Sequence, residues 1–142
     1  MNILLADDDM DDCNLFNNAL EALTKVTHLT TVHDGEQLMN YLCENSENLP
    51  HILFLDINMP RKNGFECLEE IKQNEKLKDL PVVMFSTSKL QDIINILFKQ
   101  GADIYVRKPS SLSELVQVID HALPIATESI FSNGKLKYIL NA

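Results

Sequence analysis

Short apolar runs rich in branched residues alternate along the chain with longer stretches of helical period. Ile3-Leu-Leu-Ala6 predicts a buried strand, and Leu15, Phe16, Ala19, Leu20 and Leu23 then recur on one face of a helix. Leu29 to His33 predicts a second strand, and Gly35 introduces a helix carrying Leu38, Met39 and Leu42. The third strand, His51-Ile-Leu-Phe-Leu-Asp56, is entered from Pro50 and left through a loop with Pro60 and Gly64. Phe65, Leu68 and Ile71 mark the helix after it. Pro81 opens a fourth strand, Val82 to Ser86, followed by a helix with Ile93, Ile94, Leu97 and Phe98 that Gly101 is placed to end. Asp103 to Lys108 predicts a fifth strand, and Leu112, Leu115, Val116, Ile119 and Leu123 line a fifth helix.

Five strand–helix units in succession predict an α/β fold: a doubly wound parallel sheet with helices on both faces. The nearly continuous apolar strands agree, because such strands are buried on both sides. Residues 1–123 are expected to form one domain. Residues 124–142 then form an extension, in which Asn133-Gly134 between β-prone runs suits a hairpin turn and disorder is the alternative.

Composition narrows the function classes. The 142 residues suffice for a single core, and no apolar run approaches the ~20 residues of a membrane helix. The start MNILLADDD turns acidic too early for a secretory signal, so the expected location is the cytoplasm, with Cys13, Cys43 and Cys67 as reduced thiols. A formal charge of −9 disfavours contact with nucleic acid. Much of the acid is concentrated: Asp7, Asp8, Asp9, Asp11 and Asp12 fall within six residues.

In a parallel α/β sheet ligands gather outside the carboxyl ends of the strands. Those ends carry Asp7 and Asp8, Asp56, Ser86 with Thr87, and Lys108 before Pro109. Three carboxylates together oppose one another's ionisation, a cost that a bound divalent cation removes. A lysine and a hydroxyl beside them suit the remaining oxygens of a phosphoryl group, so the set points to phosphoryl transfer. A calcium loop built on Asp7, Asp9 and Asp11 fails, because its register wants Gly at Asp12 and Glu at Asn18. Asp9, Asp11 and Asp12 are instead expected in the acidic first turn of the first helix. The four histidines are expected to be structural.

This ladder resembles the receiver domain of two-component response regulators, the CheY-like fold. LFLDINMP from Leu53 to Pro60 and GADIYVRKP from Gly101 to Pro109 strengthen the likeness, which covers residues 1–123 or so. The resemblance implies the strand order 2-1-3-4-5, with Asp56 as phospho-acceptor. It implies Mg²⁺ held by Asp8 directly, by Asp7 through water, and by Asp56 and the backbone carbonyl of Asn58. Ser86 would be the switch hydroxyl, Lys108 the partner of the phosphate and Tyr105 the switch aromatic that turns inward. The Lys108–Pro109 peptide is often cis in the family, and Ser88 sits where the lifetime of the phosphorylated state is tuned.

On the same resemblance the chain is a stand-alone switch rather than an enzyme acting on other substrates. Its phosphoryl source would be a sensor histidine kinase or a histidine phosphotransfer protein. Its output would be a downstream protein target, phosphorelay, or homodimerisation through the surface of the fourth helix, fifth strand and fifth helix. Two other readings use the same residues. One is a haloacid-dehalogenase-type phosphatase built on Asp7, Asp9, Ser86 and Lys108, for which the chain is short and lacks the acidic pair after the lysine. The other is a binding module that needs no phosphorylation, against which every site position holds a competent residue.

Overall fold

A computed structural model describes residues 1–87, 91–128 and 138–140. Along the chain come β1 (Asn2–Ala6), α1 (Met10–Ala22), β2 (His28–Val32), α2 (Gly35–Glu44), β3 (Ile52–Asp56) and α3 (Gly64–Gln73). They are followed by β4 (Val82–Ser86), α4 (Gln91–Lys99), β5 (Ile104–Arg107), α5 (Leu112–Glu128) and β6 (Tyr138–Leu140). The sheet is parallel in the order β2-β1-β3-β4-β5-β6, so the expected five-strand order holds and a short sixth strand joins the β5 edge.

Alternation along each strand divides the core in two. Leu4, Leu53, Leu55, Val82, Met84 and Tyr105 face α2, α3 and α4. Ile3, Leu5, Ile52, Phe54, Val83 and Phe85 face α1 and α5, where Phe16, Phe54 and Phe85 meet edge to face. The central strands β3 and β4 are buried along their whole length, whereas β2, at the edge, alternates.

Local chemistry fixes where the helices start and stop. Asp11 and Asp12 stand in the first turn of α1 as expected, whereas Asp9 precedes it as the cap, accepting from the Asp11 and Asp12 N–H groups. Asp34 caps α2, and Asn63 with Glu66 forms a reciprocal capping box on α3. Gly101, at φ 104°, turns the chain after α4 so that the Ala102 N–H reaches back to Leu97 O.

Two expectations meet a different outcome. α5 runs past Leu123 and through Pro124 to Glu128, so the boundary expected after residue 123 falls inside this helix. Its buried Leu115, Val118, Ile119, Ala122 and Leu123 anchor the helix on the sheet, and its turns carry on beyond them. The Lys108–Pro109 peptide is trans. Ser88 and the Asn133-Gly134 turn lie outside the described residues.

Candidate functional site

The carboxyl ends of β1, β3, β4 and β5 form one rim, because the parallel register sets Ala6 beside Leu55, Asp56 beside Phe85 and Ser86 beside Arg107. Asp56 closes β3 and Ser86 closes β4, both buried, while Thr87 beyond Ser86 is exposed. That difference separates the two adjacent hydroxyls that the sequence places at the same strand end.

Asp7 is fully buried and its main chain is held on both sides. Its N–H donates to Val32 O at 3.0 Å, and its carbonyl accepts from Cys13 Sγ at 3.4 Å and from the His33 ring at 3.1 Å. Burial, with Asp7 adding, pushes the Cys13 thiol up to about 11, so it stays protonated and can keep donating. The Asp7 carboxylate accepts from the Asp9 N–H through Oδ1, which leaves Oδ2 for Lys108. One carboxylate is thus tied to the helix cap on one side and to the fifth strand on the other.

The loop after β3 presses on the site from below. Gly64 sits so close that a β-carbon would lie 2.4 Å from Asp56 O and 2.7 Å from Ile57 Cα, and its N–H donates to Ile57 O. Glycine is required there by close approach of two backbones. The same loop delivers the Asn58 N–H to the Asp56 carboxylate.

Lys108 enters from the other side with its ammonium over the Phe85 ring, 5.6 Å from the centroid. Its N–H donates to Ser86 O at 2.7 Å, locking the ends of β4 and β5 together. Its ammonium lies 2.8 Å from Asp7 Oδ2, 2.8 Å from Asp12 Oδ2 and 3.6 Å from Asp56 Oδ1. Burial lowers the basicity of Lys108, but its hydrogen bonds to Asp12 and Asp7 outweigh that, so it is held more basic than an ordinary lysine.

Asp7, Asp8 and Asp56 each offer a carboxylate oxygen, and these atoms lie within 4.8 Å of one another. Burial raises the Asp56 carboxyl to about 6, Lys108 opposes the rise, and Asp7 and Asp8 reinforce it. By charge count, one ammonium faces Asp7, Asp12 and Asp56, with Asp8 beside them, so the site carries more negative than positive charge. Hard oxygen donors with surplus negative charge fit a divalent cation.

The structure thus brings Asp7, Asp8, Asp56, Asn58, Ser86 and Lys108 to one rim. Tyr105 belongs to the same corner but faces the core on the α4 side, 1% exposed. Asp12 is the residue that sequence reasoning assigned only to the helix. Its spacing from Lys108, 96 residues, carries no signal, and the fold alone makes them neighbours.

A family model for the response regulator receiver domain matches residues 3–120. Response regulator Rcp1 of Synechocystis sp. is 33% identical over 121 residues, which span 82% of each chain. Among solved structures, the phosphorylated cyanobacterial phytochrome response regulator RcpA matches with a TM-score of 0.80 at 33% identity, covering 90% of this chain and 94% of that one. The Mn²⁺-bound form of Rcp1 matches with a TM-score of 0.76 at 31% identity, covering 87% and 91%.

Proposed function

The chain belongs to the response regulator receiver family of two-component signalling, and from that premise we propose that it is a switch phosphorylated on Asp56 in the presence of Mg²⁺. The observation that carries the reading is the convergence of Asp7, Asp8 and Asp56 beside Lys108 on the rim of the sheet. In this reading an Asp56 carboxylate oxygen attacks phosphorus as the bond to the donor breaks, and the donor leaves with the bonding pair. Where the donor is a phosphohistidine, the bond broken is N–P and the bond formed is O–P.

The protein's own part is positioning and charge. Gly64 and the Asn58 N–H hold Asp56 at the end of β3, and Lys108 supplies a fixed ammonium for a phosphoryl oxygen. Asp8, Asp7 through water, Asp56 and the Asn58 carbonyl are the residues that would hold Mg²⁺, whose charge would stabilise the phosphoryl oxygens. Ser86, buried at the end of β4, offers a hydroxyl to the same group. Tyr105, two residues before Arg107 on β5, is already inward, so phosphorylation acts by favouring that arrangement over others.

The phosphoryl source is a histidine kinase or a histidine phosphotransfer protein, and the output is a protein target, onward transfer or self-association. The α4–β5–α5 surface is the place for it, and β6 lies along the β5 edge there. No described helix is long and apolar enough to cross a membrane.

Intact mass after incubation with Mg²⁺ and acetyl phosphate tests the reading. One added phosphoryl group is expected, absent without Mg²⁺ and absent in Asp56→Asn. Failure to take up either acetyl phosphate or beryllofluoride would overturn it, and continuous release of phosphate from simple monoesters would favour a phosphatase instead.

A further inference from the structure

Asp12 occupies the third position of α1, where an acidic side chain commonly reaches back to the N-cap N–H. Here that N–H is already taken by Asp7 Oδ1 at 3.0 Å. The Asp12 carboxylate instead leaves its own helix and meets the Lys108 ammonium at 2.8 Å, as close as Asp7 does and closer than Asp56 at 3.6 Å. Lys108 is nearly buried, with 11% of its side chain exposed, whereas 36% of the Asp12 side chain reaches solvent.

That asymmetry distinguishes the three carboxylates. Asp7 and Asp56 belong to the cluster that suits a cation, and both are buried. Asp12 lies outside that cluster, on the solvent side of the ammonium, and can exchange protein contact for water at little cost. A dianionic phosphoryl group on Asp56 would need the same ammonium. We propose that Asp12 is the resting counter-ion of Lys108, a positioning residue that competes with the phosphoryl group for the ammonium and so sets how readily the switch turns on. The inference rests on the function proposed above and assigns Asp12 a part in that chemistry beyond starting a helix.

The competition has a signature that mere loosening of the site lacks. Without the Asp12 charge, Lys108 is freer to neutralise Asp7 and Asp56, which weakens binding of Mg²⁺ alone. The same freedom makes Lys108 more available to a phosphoryl oxygen, which tightens binding of a phosphoryl mimic. A loosened site would weaken both.

The test measures, on the full chain, the affinity for Mg²⁺ alone and for beryllofluoride at saturating Mg²⁺. Asp12→Asn is expected to bind beryllofluoride roughly two- to fivefold more tightly, the range of one partly exposed ion pair, and to bind Mg²⁺ somewhat more weakly. Asp12→Glu is expected to restore the wild-type values. Asp11→Asn, which removes a neighbouring charge that caps nothing and does not reach Lys108, is expected to leave both constants within twofold, as a surface change does. Beryllofluoride binding by Asp12→Asn equal to or weaker than wild type, or an equal gain in Asp11→Asn, overturns the inference while the receiver reading stands. A wild type that takes up no beryllofluoride overturns both.

Discussion

Each end of the sheet carries a largely buried lysine, and the two are used in opposite ways. At the amino ends, Lys72 of α3 donates to Lys78 O at 3.2 Å and to Leu80 O at 3.0 Å and pairs with Asp103 at 3.7 Å. Asp103 in turn accepts from the Val82 N–H at 2.9 Å. One cation and one anion share a set of backbone partners, and the charges balance. At the carboxyl ends, Lys108 faces Asp7, Asp12 and Asp56, with Asp8 nearby, and the balance is strongly negative. Burial, reinforced by Asp7 and Asp8, holds the Asp56 carboxyl at about 6 despite Lys108. A balanced pair ties α3 to the starts of β4 and β5. A surplus of carboxylates is costly for the fold, and a proton on one of them or a cation from solution would relieve it.

Removing each lysine in turn is the sharpest way to separate the two ends. Lys108→Ala leaves three carboxylates without their ammonium, so metal-free stability should fall by about 2–4 kcal/mol, with millimolar Mg²⁺ restoring much of it. Urea unfolding with and without Mg²⁺ measures both. A loss that Mg²⁺ does not repair would mean the surplus charge is not what the cation meets.

The burial of Asp56 predicts a smaller effect of opposite sign. The Asp56 carboxyl titrates near 6 in the folded chain against 3.8 for an ordinary side chain, so the folded state keeps a proton that the unfolded chain has lost. Wild-type stability without metal therefore falls as pH rises from about 4 to about 6. Asp56→Asn lacks that loss and should be the more stable protein at pH 8 by on the order of 2 kcal/mol, the difference closing below about pH 4. Thermal unfolding in chelator across this range measures it, and a constant difference would show that packing, not charge, separates the two.

Lys72→Met gives the smallest expected change. It leaves Asp103 and two carbonyls short of a partner at a partly exposed site, costing about 1–2 kcal/mol. Mg²⁺ should not repair it, and phosphorylation of Asp56 should be unchanged. If Mg²⁺ did repair it, the division between a structural end and a chemical end would be lost.

The carboxyl-end half of this contrast was legible in the sequence. Period and punctuation placed the five strands and five helices, and the ends of those strands named Asp7, Asp8, Asp56, Ser86 and Lys108 together. This worked because a parallel sheet buries its strands on both faces, so apolar runs show where each strand lies and polar residues show where it stops. The acidic start of α1 was equally readable through Asp11 and Asp12, while Asp9 stands one place earlier, as the cap.

The rest depended on distance through space. Nothing near Asp12 in the chain announces that its carboxylate crosses to Lys108, because the Asp9 N–H that would have claimed it is taken by Asp7. The pairing of Tyr138–Leu140 with β5 is likewise a contact between segments more than thirty residues apart. The continuation of α5 through Pro124 overrides a local helix-breaking signal with tertiary burial. The sequence by itself determined the order of elements, the side each strand shows to the core and the residues that can bear phosphoryl chemistry, since these follow from local geometry and period. Only the tertiary structure decided how one ammonium is shared among three carboxylates, because charge balance at a site is a sum over every element that reaches it.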